Sequence, residues 1–475
     1  MKFRRWGALL LAGIIGCVSL SGCGDNGENK SGGGDENARK FGGITITLAD
    51  PWGNDLTPGK DEETDKLIDK IDAIEEKYDI VFEWKQVDSG TYWNNMATVI
   101  MSGQPFGDIM YSFPWMITDW IKAEAVRDAG AIAESVGIDF HDGTWNETVL
   151  EEHTYGDVVY GFSKEEESVS NSLLYNKRLF REAGLTDPNE LIASGGKWDF
   201  ATMEEYARQL TKRDAATGQT TQWGLSSSDP YWLMTNFILS NGGELVDDSV
   251  NPPTVAMDSA KSLEGLEFFN RMLNTDQTIY FCPAGGPWET TPNAFANGTV
   301  GMYHVAEWLI EYIRDMMNEN GTGSDYGLTY FPMGPQAEDY IDQSLGGSAY
   351  FIPTSISEEK AQAALLVYSE LMDPSDDGYT KEQRVTNRAE SLFADEASCR
   401  VYEDLMLNGK IKTNGASRLL LREPLMEIAA EFTENAGTPQ SLIAQYKSYM
   451  QNNINDSGYV KAIERQQGAQ ENNEG

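Results

Sequence analysis

Four short stretches place a tryptophan or tyrosine beside proline or glycine: Pro51-Trp52-Gly53, Pro114-Trp115, Pro230-Tyr231-Trp232 and Pro287-Trp288. They belong to a set of 12 Trp and 21 Tyr, many of which fall outside helical stripes. A ring held on a stiff loop can stack on the apolar face of a sugar, while carboxylates and amides bond its hydroxyls. Core or interface filling explains any single ring equally well. Taken as a set, the rings point toward carbohydrate binding.

Other chemistries find little support. The chain carries no G-x-x-x-x-G-K-[ST], H-E-x-x-H, C-x-x-C or G-x-S-x-G, and its one G-x-G-x-x-G, Gly22 to Gly27, follows no strand and opens no helical pattern, which removes the commonest nucleotide, zinc-protease and serine-hydrolase readings. Three histidines, His141, His153 and His304, leave little for a metal site. The acidic stretch at 373–378 lacks the spacing of an EF-hand loop and reads as a solvated turn. No metal or other cofactor is expected. The 75 acidic residues always permit some carboxylate pair, so a secreted glycan hydrolase or lyase stays open as an alternative. With 36 basic residues the net charge is −39, which repels phosphate backbones and argues against a nucleic-acid partner. Four cysteines cannot form a disulfide scaffold. Cys282 and Cys399 are expected to remain separate buried thiols.

The first 22 residues read as a secretion signal. Lys2, Arg4 and Arg5 form a basic start, and Trp6 to Leu20 is an apolar run too short for a comfortable membrane span, which needs about 20 residues. The run ends in Leu20-Ser21-Gly22-Cys23, which resembles the lipobox of bacterial lipoproteins. That resemblance implies cleavage before Cys23 and lipidation of its thiol. Loss of the three basic residues would leave a mature charge of −42. Residues 23–40, almost without apolar side chains, read as a flexible tether spanning roughly 20–25 Å. No later stretch approaches a spanning length, so the chain is expected on the extracytoplasmic face of the cell membrane, held by lipid.

The elements that would position the aromatic loops follow. A length of 475 residues suggests two or three domains. Ile44, Ile46 and Leu48 alternate with threonines, a half-buried strand. Leu67, Ile71, Ile74 and Tyr78 recur at helical spacing behind Thr64 as N-cap. Ile80, Phe82 and Trp84 form a second strand, Tyr92 to Ile100 a second helix, and 107–111 a third strand. Such alternation implies a parallel sheet covered by helices, with ligands beyond the carboxyl ends of its strands, near Asp50–Trp52 and Tyr111–Trp115. A second lobe begins after Tyr160-Gly161. Thr202 to Glu205 reads as a capping box, and Ser357 caps a helix carrying Ala361, Ala364, Leu365 and Tyr368.

From about residue 41 onward the chain resembles the extracellular solute-binding proteins of bacterial ABC importers, the family that includes maltose-binding protein. Four segments carry the resemblance. Leu173 to Phe180 with Ala183-Gly184-Leu185 is similar to the family's YNK-x-LF…AGL block. Lys197-Trp198 and the helix to Leu210 resemble its TW-x-E helix. Ala294 to Met302 with Trp308 resembles the F-x-x-G-x-x-AM…W segment, and Gly346-Gly347 with Ile352-Pro353 and the helix 361–372 resembles the late block. Each is degenerate alone, and their order behind a lipobox makes them specific.

The resemblance implies an α/β, two-lobe periplasmic-binding-protein fold (type II-like), with the lobes joined by a multi-stranded hinge. By similarity the chain crosses near 158–162, 346–352 and 396–402. The first lobe would comprise 41–157 plus 353–396, and the second 163–346 plus 402–470. The implied function is capture of a sugar or oligosaccharide between the lobes and its delivery to ABC permease subunits by a monomeric, non-enzymatic protein. The same fold binding a peptide, polyol or uronate is the alternative. Carried over residue by residue, the ligand contacts would be Trp308, Trp288, Tyr231, Trp232, Asn241, Asp50 and Trp52. Trp115 belongs to a loop expected to set specificity, and Arg388 lies near the late hinge. Met302 follows Gly301 where the family has alanine, so substrate identity is open.

Overall fold

The computed structural model describes residues 39–344 and 347–474. The signal segment, Cys23, the tether as far as residue 38, and Gly346 lie outside the described residues.

The first sheet forms around strand Ile44–Asp50. It runs parallel to Ile80–Gln86 on one side and to Ile109–Ser112 on the other, with Ala349–Phe351 antiparallel beyond. The alternation in the first strand buries Ile46 and Leu48. Helix Glu62–Tyr78 covers the sheet with Ile71, Ile74 and Tyr78. Its cap is Asp61, not Thr64: the Asp61 carboxylate accepts the Thr64 N–H at 2.7 Å, and Thr64 itself is buried. Helix Ser89–Met101 inserts Tyr92, whose hydroxyl accepts the Tyr111 N–H at 2.9 Å and lies 3.1 Å from the Ala49 carbonyl. One phenol thus fastens the carboxyl ends of two strands.

The second sheet has five main strands in the order Ile279–Tyr280, Thr220–Ser227, Val300–Val305, Ser172–Asn176 and Tyr326–Thr329. The first two pairings are parallel and the last two antiparallel. The local sequence explains the YNK-x-LF…AG block. Asn176 ends its strand and accepts the Leu179 N–H at 3.0 Å, capping helix Lys177–Ala183. Gly184 closes that helix at φ 70°, a left-handed cap that favours glycine. Helix Phe200–Leu210 is capped by Asp199, which accepts the Thr202 N–H at 2.9 Å, while the Thr202 hydroxyl bonds the Lys197 carbonyl. The cap therefore lies three residues ahead of the expected one. Helix Glu358–Leu371 is capped by Ser357, as expected.

The segment from Gly161 to Asn171 leads from the first sheet toward the second, with Phe162 bridging Tyr350 on the way. Asp342–Gln343 pairs with Ile411–Lys412 before the chain returns to Ala349–Phe351. The third crossing differs from expectation. Val385, Ala389 and Leu392 of helix Lys381–Leu392 are buried with Phe295, Ile310 and Tyr326 in the core of the second lobe. The chain therefore crosses at about 372–380 rather than 396–402, and the late part of 353–396 packs in the second lobe. The apolar face of that helix decides its allegiance. A fourth crossing was not anticipated. Helix Pro439–Asp456 packs in the second lobe, and helix Gly458–Glu474 docks onto Pro114–Lys122 of the first. Its contacts include Gly458 N–H to the Thr118 hydroxyl at 3.1 Å, Arg465 to Glu124 at 2.5 Å and Gln466 to the Tyr155 carbonyl at 2.9 Å.

Cys282 and Cys399 are both free thiols, each partly buried rather than enclosed. No helix among the described residues is long and apolar enough to cross a membrane.

Candidate functional site

Three strand-to-helix junctions converge on one cleft. Strand Ile109–Ser112 ends in Phe113-Pro114-Trp115, and Pro114 begins helix Pro114–Lys122. Strand Thr220–Ser227 is followed by Asp229, which caps helix Pro230–Leu239 by accepting the Tyr231 N–H at 2.8 Å. Strand Val300–Val305 passes through Ala306 into helix Glu307–Glu319, which carries Trp308 in its first turn. Proline at the first helical position fixes the turn and so aims the ring that follows. Each aromatic side chain lies beyond the carboxyl end of a strand, where open α/β sheets bind ligands.

The cleft holds a cavity of about 410 Å³ lined by residues of both lobes. Phe113 and Trp115 form one wall, Tyr231, Trp232 and Trp308 the other, and the crossover residues Glu165, Glu166 and Glu167 a polar flank. Phe113 and Trp115 stack with centroids 4.5 Å apart and planes 7° from parallel. Trp93 stacks on Phe113 at 4.8 Å and meets Trp52 edge-on at 6.1 Å. The first lobe thus presents a continuous aromatic ribbon. Arg422 of the second lobe stacks its guanidinium 4.6 Å from the Trp115 ring centre, bridging the cleft.

The expected contact residues divide by their surroundings. Trp115, Tyr231, Trp232 and Trp308 line the cavity together. Trp288 lies outside it but against Trp308, with centroids 5.7 Å apart, and is 51% exposed; Trp308 is 52% exposed. Trp52, 57% exposed, packs edge-on to Tyr111 at 4.6 Å at the far end of the ribbon. The polar candidates are occupied elsewhere. Asp50 is buried and accepts the Trp52 and Gly53 N–H groups and the Trp84 indole N–H. Asn241 is buried, donating to the Lys261 carbonyl and Glu264 and accepting from Gln336. Arg388 is paired with Glu307 at 2.7 Å and Glu311 at 2.6 Å, away from the cavity. These three hold loops and helices in place and do not line the cleft.

The acidic flank is what the sequence did not disclose. Residues 163–170 have no periodicity, and only the acidic run after the expected crossing could have signalled it. Glu165 remains open to water yet is hemmed in by protein, and this partial desolvation pushes its carboxyl above the usual range. The Tyr350 hydroxyl, 3.2 Å away, opposes that shift, and the charge of Asp50 adds to it. Glu167 is pushed in the same direction, first by desolvation, against the pull of Lys381. Glu166 is paired with Arg384 at 2.5 Å.

Behind the cavity lies His304, buried in the same strand that delivers Trp308. Its Nδ1 is 3.1 Å from the Ser227 hydroxyl and its Nε2 3.2 Å from the Asn236 amide, which also donates to the Asn171 carbonyl. Burial pushes its pKa down to about 3, so the ring is neutral in the folded state. A depressed histidine pKa means the unfolded chain binds the proton first. This contribution to stability is complete above about pH 6.5 and is lost as the pH falls toward the folded value. His304→Gln should remove a slope of about 1.4 kcal/mol per pH unit. Denaturant unfolding of both proteins across that range measures it: the stability difference between them should shrink as the pH falls. A constant difference would show that His304 does not titrate on unfolding.

Residues 60–368 match the family model described as bacterial extracellular solute-binding protein. No curated protein sequence matches the chain. Among solved structures, the GacH receptor of Streptomyces glaucescens, determined unliganded and with acarbose, aligns at 17% identity and TM-score 0.59 over 87% of this chain and 99% of that one. An ABC transporter solute-binding protein of Thermotoga lettingae, bound with alpha-D-tagatose, aligns at 18% and TM-score 0.61, over 86% and 100% of the two chains. The maltose/maltodextrin-binding domain MalE from Bdellovibrio bacteriovorus, bound to maltotriose, aligns at 15% and TM-score 0.59 over 86% and 100%. At these identities the likeness establishes the two-lobed α/β fold.

Proposed function

Because the chain belongs to the bacterial extracellular solute-binding proteins, we propose that it captures a sugar or oligosaccharide between its lobes and passes it to ABC permease subunits. One observation carries the ligand class: an interlobe cavity walled on both sides by aromatic rings at strand ends. Flat apolar walls suit the faces of pyranose rings, and the surrounding Asn146, Thr148, Ser163 and Ser170 can bond hydroxyls. Closure of the lobes gains contacts from both walls that the open form lacks, so occupancy and conformation are coupled. The solved relatives include a protein bound with ribitol and one bound with glycerophosphocholine, so a polyol or other non-sugar solute is the second reading. A uronate fits less well, since three glutamates line the cavity and no lysine, arginine or histidine is among its described lining residues.

The family and the solved relatives are binding proteins. Glycan hydrolysis is tested by incubating the purified protein with glycans and assaying new reducing ends; none are expected. Lipid attachment at Cys23 belongs to the same proposal, with Cys23→Ser expected to leave an unlipidated, uncleaved product by mass spectrometry. The central test is a thermal-shift screen against monosaccharides, oligosaccharides and polyols. A ligand at about 100 times its Kd should add roughly 2.7 kcal/mol of apparent stability. A rise with a saccharide supports the reading; a rise with a polyol alone overturns it.

A further inference from the structure

Resting on that reading, we propose that the captured saccharide carries a free amino group, held as an ammonium between the aromatic walls and the crossover carboxylates Glu165 and Glu167.

The argument begins with what each charge near the cavity already touches. Glu166 is neutralised by Arg384. Lys164 turns away from the cleft, is almost fully buried, and pairs with Asp373 at 3.2 Å while lying 4.8 Å from the Trp145 ring centre. Arg422 lies on Trp115, near Asp229. Lys381 acts on Glu167 only through space, and no basic side chain forms an ion pair with Glu165 or Glu167 among the described residues. Asp50 adds a further negative charge near Glu165. The cavity therefore has a net negative flank and two carboxylates without a cationic partner.

Closing the lobes makes this imbalance matter. A neutral sugar offers Glu165 and Glu167 only hydroxyl hydrogen bonds, which replace part of the lost water but bring no opposite charge, and desolvating a charge without a counter-charge is unfavourable. An ammonium compensates them by charge-assisted hydrogen bonds. It also meets the face of Trp232 or Trp308 at cation–π range, an attraction that grows as water leaves. An N-acetylated sugar loses both terms. A uronate adds a third repelling charge. The strongly acidic chain supplies a long-range field of the same sign, which draws cations toward the cleft.

The test compares glucosamine oligomers with N-acetylglucosamine and glucose oligomers of the same linkage and length, by isothermal titration of the whole mature protein. The amine form should bind at least roughly tenfold more tightly than either counterpart. Its affinity should weaken with added salt more steeply than theirs. In the Glu165→Gln/Glu167→Gln double variant the preference should collapse, with folding verified by an unchanged melting temperature. Should that variant misfold, the salt dependence of the native protein carries the test alone. Equal or tighter binding of the neutral or acetylated oligomers overturns the charge inference and leaves the sugar reading standing. A non-sugar amine, hexane-1,6-diamine, is titrated alongside: its binding with no response to any saccharide overturns the sugar reading, and no response to any probe overturns both.

Discussion

Replacing Trp308 by alanine is expected to weaken saccharide binding by roughly 5- to 150-fold, equivalent to about 1–3 kcal/mol, with little loss of folding stability. The ring lies in the first turn of its helix, half exposed, with one side against Trp288 and another facing the cavity. A ring with that much surface in water contributes little to the fold, whereas a closed ligand complex would bury it. Trp198 supplies the contrast. It is fully buried, its indole donates to the Tyr330 carbonyl at 2.8 Å, and its removal should cost about 3–5 kcal/mol of stability. Calorimetric titration and thermal unfolding of both variants separate the roles. Near-native affinity in folded Trp308→Ala protein would remove that ring from the site.

A second large effect is expected at Gly458, where the chain makes its fourth crossing. A Cβ there would lie 2.2 Å from the Thr118 carbonyl oxygen and 3.0 Å from the Thr118 hydroxyl. The nearer obstacle is backbone, so no side-chain rotation can clear it. Gly458→Ala should cost about 3 kcal/mol and loosen the docking of the last helix on Pro114–Lys122. Gly468→Ala is the matched control in the same helix: its Cβ meets nothing within 4 Å. Exchanging glycine for alanine there should be neutral or stabilising by up to about 1 kcal/mol. Hydrogen exchange across 458–474 should rise in the first variant only. Native protection in Gly458→Ala would show that the crossing is not held by this contact.

Periodic segments were legible because their pattern is local. Ile44, Ile46 and Leu48 alternate, and Ser357 leads a helix with a single apolar face, so both appear where the sequence places them. The N-caps misled for a definable reason. Asp61 precedes Thr64, and Asp199 precedes Thr202, by the three residues that separate an N-cap from its bonding partner. Two cap-forming residues at that spacing leave two registers open, and the aspartates take the role. The places of Trp115, Tyr231 and Trp232 at the cavity could be anticipated because proline marks the turns that aim them, whereas Trp308, which follows Ala306 and Glu307, is found only through the resemblance. Polar contacts could not. Asp50 is claimed by its own turn and by Trp84, and Arg388 by Glu307 and Glu311 far back in the chain. Glu165 and Glu167 acquire meaning only from what fails to pair with them.

The crossings also bear on when the protein can fold. The edge strand of the first sheet, Ala349–Phe351, pairs with Ile109–Ser112 only after the entire second sheet has been made. Helix Glu358–Leu371, which covers that sheet, comes later still, and the docking helix Gly458–Glu474 comes last. A chain emerging from the ribosome therefore holds an unfinished first lobe, with exposed strand edges and apolar faces, through most of its synthesis. Non-local pairing of this kind slows folding and keeps intermediates open. The topology leaves a long interval during which the first lobe is incomplete, and that interval closes only once helix Gly458–Glu474 has been made.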